Sequence, residues 1–178
     1  IELWHTIGGE IYENKLRGGM FFVFLKDIKI HHNTIGYDSL TVVPKTGIYV
    51  SGDVNNVTIN NNYFENLALQ IAFSPFAATK LDSVFIHTNV MFNIGVSTDE
   101  WWGCGISFAG LTSDTVSNLH VVGNTMIANP GSRNTRIGLY LPTTGYATNI
   151  NIRNNIMSGF RYATIFAAGP DRTLDLLS

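Results

Sequence analysis

The chain has 178 residues, of which 45 % are hydrophobic and only 13 % charged, so it can bury a substantial core and does not have the composition of a disordered segment. With 11 basic and 13 acidic side chains the formal net charge is -2, which offers no general attraction to nucleic acid or an anionic membrane. The single Cys104 can form no internal disulfide and lacks metal-ligand spacing, so no redox compartment follows from it and no metal or cofactor is expected.

In chain order, Ile1, Leu3 and Thr6 read as a degenerate copy of a frame that becomes plain downstream, with Thr6 in the Asn place 27 residues before Asn33. Gly18 to Leu25 is the longest apolar stretch. It is too short to span a bilayer and it alternates, which predicts a strand through Met20, Phe22 and Phe24. The frame itself runs apolar, any, apolar, two free positions, Asn, any, apolar. It reads Ile28, Ile30, Asn33, Ile35; then Val57, Ile59, Asn62, Phe64; then Val84, Ile86, Asn89, Met91; then Leu119, Val121, Asn124, Met126; then Ile150, Ile152, Asn155, Met157. Positions 33, 62, 89, 124 and 155 are separated by 29, 27, 35 and 31 residues, so the motif persists while the remainder changes length. Leu174 and Leu176 open another copy as the sequence stops. A fixed short motif with variable spacers is the signature of a solenoid with adjustable loops.

Apolar residues alternating with polar ones, such as Val57 and Ile59 around Thr58, mark a strand with one buried face. The Asn that follows suits a turn, because Asn tolerates the left-handed backbone and its side chain bonds neighbouring amides. A further strand completes each coil: Ile48 and Val50; Ile71 and Phe73; Ile106 and Phe108; Ile137, Leu139 and Leu141; Ala163 and Ile165. Coils stacked about 4.8 Å apart would bring equivalent Asn side chains into one hydrogen-bonded column. The predicted fold is therefore all-β, a right-handed single-stranded parallel β-helix of about five to six coils with an Asn ladder. It forms one domain over residues 1–178, with both ends falling inside a coil. An antiparallel sandwich accommodates short strands but not the repeated Asn frame.

On these residues the sequence resembles the right-handed parallel β-helix of the pectin-lyase-like superfamily, whose members carry such an Asn ladder between the second and third strands. The resemblance covers essentially the whole chain and rests on a structural motif; activities vary widely on one fold. It implies a polysaccharide or oligosaccharide lying along the outer face of the strand that completes each coil, where Tyr49, Ser51 and Asp53, Gln70, Gly105 and Ser107, and Gly138, Tyr140 and Thr164 are expected to point outward. A calcium site of the pectate-lyase kind needs several clustered carboxylates, which are missing, as are the Gly-His-Gly and Arg-Ile-Lys signatures of polygalacturonases.

The loops entering that strand alternate in length. Gly36 to Thr46 is long and holds Tyr37, Asp38 and Lys45; Glu65 to Ala68 is very short; Asn93 to Gly103 holds Asp99, Glu100, Trp101 and Trp102; Asn129 to Arg136 holds Arg133 and Arg136. A short loop between long ones leaves a notch able to hold a chain-like ligand. Sugars stack on Trp and Tyr and hydrogen-bond to carboxylates and Arg, so Trp101, Trp102, Tyr37, Tyr49, Tyr140, Arg133 and Arg136 are the candidate substrate contacts. Glycosidic hydrolysis needs one protonated and one ionised carboxyl, with candidates Asp99, Glu100, Asp53 and Asp38. The competing reading is a solvated loop tip, with Trp102 covering the end of a coil. His31 and His87, two coils apart and with no carboxylate assigned to them, read as surface histidines.

The expected function is a secreted or cell-surface carbohydrate-active β-helix, with glycoside hydrolysis ahead of lyase chemistry. A lyase would use Tyr37, Lys45, Arg133 or Arg136. The alternative of another class is a non-catalytic adhesin, surface repeat or tailspike. Oligomeric state is left open.

Overall fold

In the computed structural model the described residues are 1–37, 46–73, 80–95, 103–108, 115–130, 136–141, 147–166 and 172–177; for residues 136, 165, 166 and 172–177 the description is of the backbone. Each coil places one strand in each of three parallel sheets. The first coil is β1 (Glu2–Leu3), β2 (Thr6–Tyr12) and β3 (Lys15–Arg17), and the second is β4 (Met20–Phe22), β5 (Leu25–His31) and β6 (Thr34–Gly36). Then follow β7 (Thr46–Val50), β8 (Val54–Asn60) and β9 (Tyr63–Glu65), and β10 (Leu69–Phe73), β11 (Leu81–His87) and β12 (Val90–Ile94). The next coils are β13 (Gly103–Ser107), β14 (Val116–Val122) and β15 (Thr125–Ala128), then β16 (Arg136–Leu141), β17 (Ala147–Arg153) and β18 (Ile156–Ser158), before β19 (Tyr162–Phe166) and β20 (Arg172–Leu177). Sheet A stacks β1, β4, β7, β10, β13, β16 and β19; sheet B begins at β2 and sheet C at β3. The predicted parallel β-helix is what forms.

The frame explains the register. Its first two apolar positions point inward from sheet B, as in the column Ile30, Ile59, Ile86, Val121 and Ile152. Its last apolar position points inward from sheet C, in the column Ile35, Phe64, Met91, Met126 and Met157. Sheet A closes the core with Met20, Ile48, Ile71, Ile106 and Leu139. Each pleat thus sends alternate side chains into one dry interior. Cys104, in strand β13 of sheet A, is 2 % exposed, and burial pushes its thiol up to about 12.

The Asn side chains sit at the corner between sheets B and C. The amide Nδ2 of Asn33 donates to Oδ1 of Asn62 at 3.0 Å, Asn62 to Asn89 at 3.0 Å, Asn89 to Asn124 at 3.0 Å and Asn124 to Asn155 at 2.9 Å. Each Oδ1 also accepts the backbone N–H of the Asn below, and each Nδ2 reaches a carbonyl of the preceding coil, as Asn62 does with Ile30 O at 2.9 Å. The corner's otherwise orphaned backbone groups are satisfied in this way.

Three expectations need correction. The left-handed residue is the one before each ladder Asn: Glu13, His32, Asn61, Thr88, Gly123 and Asn154 have φ between 53 and 66°. A second left-handed column, Asp27, Asn56, Ser83, Asn118 and Asn149, bends the strands of sheet B. Second, the rung below Asn33 is Asn14, whose Nδ2 donates to Asn33 Oδ1 at 3.0 Å; Thr6 merely opens β2, and Glu2–Leu3 belongs to sheet A. Third, Gln70, Gly105 and Gly138 face inward: Gln70 is fully buried, and a Cβ on Gly105 would come within 2.6 Å of the Met126 sulfur. In the last coil it is Thr164 that pairs with Leu139 and is half-buried, while Ala163 is exposed.

Candidate carbohydrate-binding face

The outward column of sheet A runs Glu2, Phe21, Tyr49, Ala72, Ser107, Tyr140. In-register parallel strands hold such side chains one rung apart, about 4.8 Å, so aromatics at successive rungs meet face to face. Phe21 and Tyr49 do, with ring centroids 5.3 Å apart and planes at 9°. Trp4, in the turn after β1, meets Phe21 edge-on at 6.5 Å and is 64 % exposed; its indole N–H donates to the Glu2 carboxylate at 3.0 Å. Trp4, Phe21 and Tyr49 therefore make an aromatic platform edged by a carboxylate, the combination that meets the apolar face and the hydroxyls of a sugar. Ala72 and Ser107, next up the column, are 3 % and 2 % exposed, so the open part of this face lies toward the first coils.

Sequence reasoning missed Trp4, Phe21 and Glu2. The signal was there in the alternation of Glu2 with Leu3 and of Phe21 with Met20 and Phe22, but assigning residues 1–6 to the motif strand concealed it.

The predicted site residues fall in three groups. Tyr49 and Tyr140 share the sheet A column, three rungs or about 14 Å apart. Asp53 is at the corner between sheets A and B, exposed, where its carboxylate accepts the Lys80 backbone N–H at 2.9 Å and its carbonyl accepts that of Leu25 at 3.2 Å; it caps a turn. Tyr37 lies at the opposite corner, on the sheet C side, where its N–H donates to Glu65 O and its carbonyl accepts Asn66 Nδ2 at 2.7 Å. Arg136 opens β16 with its backbone paired to Gly103. Asp38, Lys45, Asp99, Glu100, Trp101, Trp102 and Arg133 lie outside the described residues. The short connection between β9 and β10 is a packed corner: Leu67 is fully buried, and its carbonyl accepts the Gly95 N–H at 3.0 Å.

On sheet B a carboxylate does accompany one of the two histidines, contrary to the expectation. His31 Nε2 lies 3.2 Å from Glu10 Oε2, its ring stacks on Tyr12 at 5.2 Å, and its Nδ1 is 2.7 Å from Nδ1 of His32. His31 and His87 flank Asn60 in one column, which confirms their two-coil separation. Burial, then the charge of Lys29, lowers the His87 imidazole below its ordinary value. Among the described residues no cluster of three His, Cys, Asp or Glu side chains could hold a metal ion, and no helix is long and apolar enough to cross a membrane.

The fold and this face define a parallel β-helix with an aromatic platform on one sheet. The chain belongs to the disaggregatase-related family, whose match covers residues 53–170. Neither the curated proteins nor the solved structures contain a significant match to it.

Proposed function

We propose that the chain is a carbohydrate-active protein that grips a polysaccharide along the outer face of sheet A and hydrolyses it. The observation that carries this reading is the platform of exposed Trp4 and half-buried Phe21 and Tyr49, with Glu2 at its edge. The family name gives separate support, since it refers to taking aggregates apart, and severing a matrix polysaccharide would do so. On this reading the protein works outside the cell, as a secreted or surface-bound component.

Hydrolysis requires two carboxyl groups about 5 to 10 Å apart, one to protonate the leaving oxygen and the other to act as base or nucleophile. Asp99, Glu100, Asp38 and Asp53 are the candidates, with Trp101, Trp102, Tyr49 and Tyr140 as sugar contacts and Arg133 and Arg136 as hydroxyl or carboxylate partners. Because Asp53 already caps a turn, the loop carboxylates are the stronger pair.

The test is a polysaccharide panel in which new reducing ends and the absorbance of unsaturated products are followed separately. New reducing ends without unsaturated product, abolished by Asp99→Ala or Glu100→Ala, are the expected result. Unsaturated product would replace hydrolysis with lyase chemistry. Silence in both assays with binding retained would leave a non-catalytic glycan binder, and absence of binding would overturn the proposal.

A further inference from the structure

The outer face of sheet C carries a cleft of about 390 Å³ lined by Lys15, Arg17, Thr34, Gly36, Tyr37 and Glu65. Its origin is one missing side chain. Arg17, Gly36 and Glu65 are register partners in a single outward column, so at the middle rung the column has bare backbone where its neighbours carry long side chains. Only glycine fits there, because a Cβ on Gly36 would collide with the Glu65 carbonyl. Arg17 and Glu65 thus stand about 10 Å apart on either side of an open floor.

Tyr37 supplies a wall. Its backbone is fixed by Asn66 Nδ2 and by the Glu65 carbonyl, and its hydroxyl reaches back toward the first coil, 3.6 Å from where a Cβ on Gly18 would lie. Gly18, with φ 134°, leaves room for that hydroxyl. Asn66 is held in turn by Asn93 Nδ2 at 2.9 Å, so the wall is braced from two coils above. Lys15 sits beside Thr34 in the adjoining column, exposed and with no ion pair among the described residues.

We infer that this cleft is a second ligand site, separate from the sheet A face, and that it takes a sugar bearing a carboxylate or sulfate. Lys15 and Arg17 provide two cationic donors at one end for the oxyanion. Glu65, two rungs up, provides an acceptor for sugar hydroxyls at the other end, while Thr34 and the Tyr37 hydroxyl, which reaches back toward Gly18, offer further hydroxyl contacts nearer the cations. Among the described lining residues the one anionic side chain, Glu65, sits two rungs from Arg17, which orients the ligand with its charged group toward the first coil. The volume suits one or two sugar units and lies within the usual range of small-ligand pockets.

The test follows amide shifts of the isotope-labelled chain during titration with glucuronate, glucose 6-sulfate, inorganic sulfate and glucose. One or both sugar anions should shift the Gly36 and Gly18 amides saturably, with glucose and inorganic sulfate at least tenfold weaker, and the arm that binds tighter identifies the oxyanion. Lys15→Gln and Arg17→Gln should each weaken that binding by about tenfold, the loss of one charge-assisted hydrogen bond. Glu65→Gln should tighten it, because a like charge is removed while a hydroxyl partner remains; this opposite sign is not expected of a variant that merely loosens the fold. Equal response to glucose, equal response to inorganic sulfate alone, shifts confined to sheet A, or no saturable shift would each overturn the assignment.

Discussion

The side-chain amide of Asn14 donates to Oδ1 of Asn33 at 3.0 Å across only 19 residues, whereas the rungs above it are separated by 27 to 35. The same corner is therefore built from coils of very different length. What recurs is the geometry of one amide that both accepts from below and donates above.

That repeated role sets a graded cost. Asn62 lies in the buried middle of the ladder, and its loss strips donors or acceptors from Asn33, Asn89 and the Ile30 carbonyl. Asn62→Ala should cost about 3 to 5 kcal/mol, since each buried group left unpaired costs about 1 to 3 kcal/mol. Asn14→Ala, at the half-buried lower end, should cost about 1 kcal/mol. Urea denaturation of both variants checks the ratio; equal costs would mean that the ladder does not act through buried hydrogen bonds.

Gln70 invites a change in the opposite direction. Its amide Nε2 donates to Leu67 O at 3.2 Å, but its Oε1 is buried with no partner among the described residues. Leu67 O keeps the Gly95 N–H if Gln70 is replaced. Gln70→Met, close in volume and free of the orphaned carbonyl, should raise stability by about 1 kcal/mol, read as a higher melting temperature.

Acid should weaken the fold through two named groups. Hydrogen bonds from Asn118 and Ser117 hold the Asp82 carboxyl below its ordinary value, so its contribution is complete above the unfolded carboxylate pKa of about 3.9 and disappears as pH falls through the lower folded value. His87, lowered chiefly by burial, acts earlier. Below about pH 6.5 the unfolded chain takes up a proton there that the folded chain refuses, which destabilises the fold as pH drops toward the folded value. Stability against pH should show both declines; His87→Gln should flatten the upper one and Asp82→Asn the lower one. An unchanged profile in either variant would dismiss that residue.

If the sheet A platform holds a sugar, Trp4→Ala and Tyr49→Ala should each weaken polysaccharide binding by about tenfold, the scale of one lost aromatic contact of about 1 to 1.5 kcal/mol. Affinity electrophoresis in gels containing the polysaccharide, with melting curves to confirm folding, is the measurement. Retardation equal to that of the parent chain in both variants would remove this face from consideration.

Coils from Ile28 onward could be read from the sequence because two signals coincide there, strict alternation and an Asn at a fixed offset. The first coil escaped because Gly9 occupies the slot that Ile28 fills above it, so the frame lost an apolar marker just where Asn14 continues the ladder. Glu10, the partner of His31, went unseen for the same reason. Gln70 was misplaced because β10 abandons alternation at the corner, with Gln70, Ile71, Ala72 and Phe73 all buried. The candidate site was less legible than the fold. Loop residues such as Asp99 and Trp101 follow no period, so nothing in the pattern fixes which way they point, whereas the Gly36 gap becomes meaningful only once Arg17 and Glu65 are known to flank it.

The enclosed thiol of Cys104 gives the molecule an internal clock. Since the sulfur is buried and resists ionising, an alkylating reagent should find it only when the structure covering it parts. The rate of labelling, followed by mass spectrometry, would then count openings of the middle coils directly.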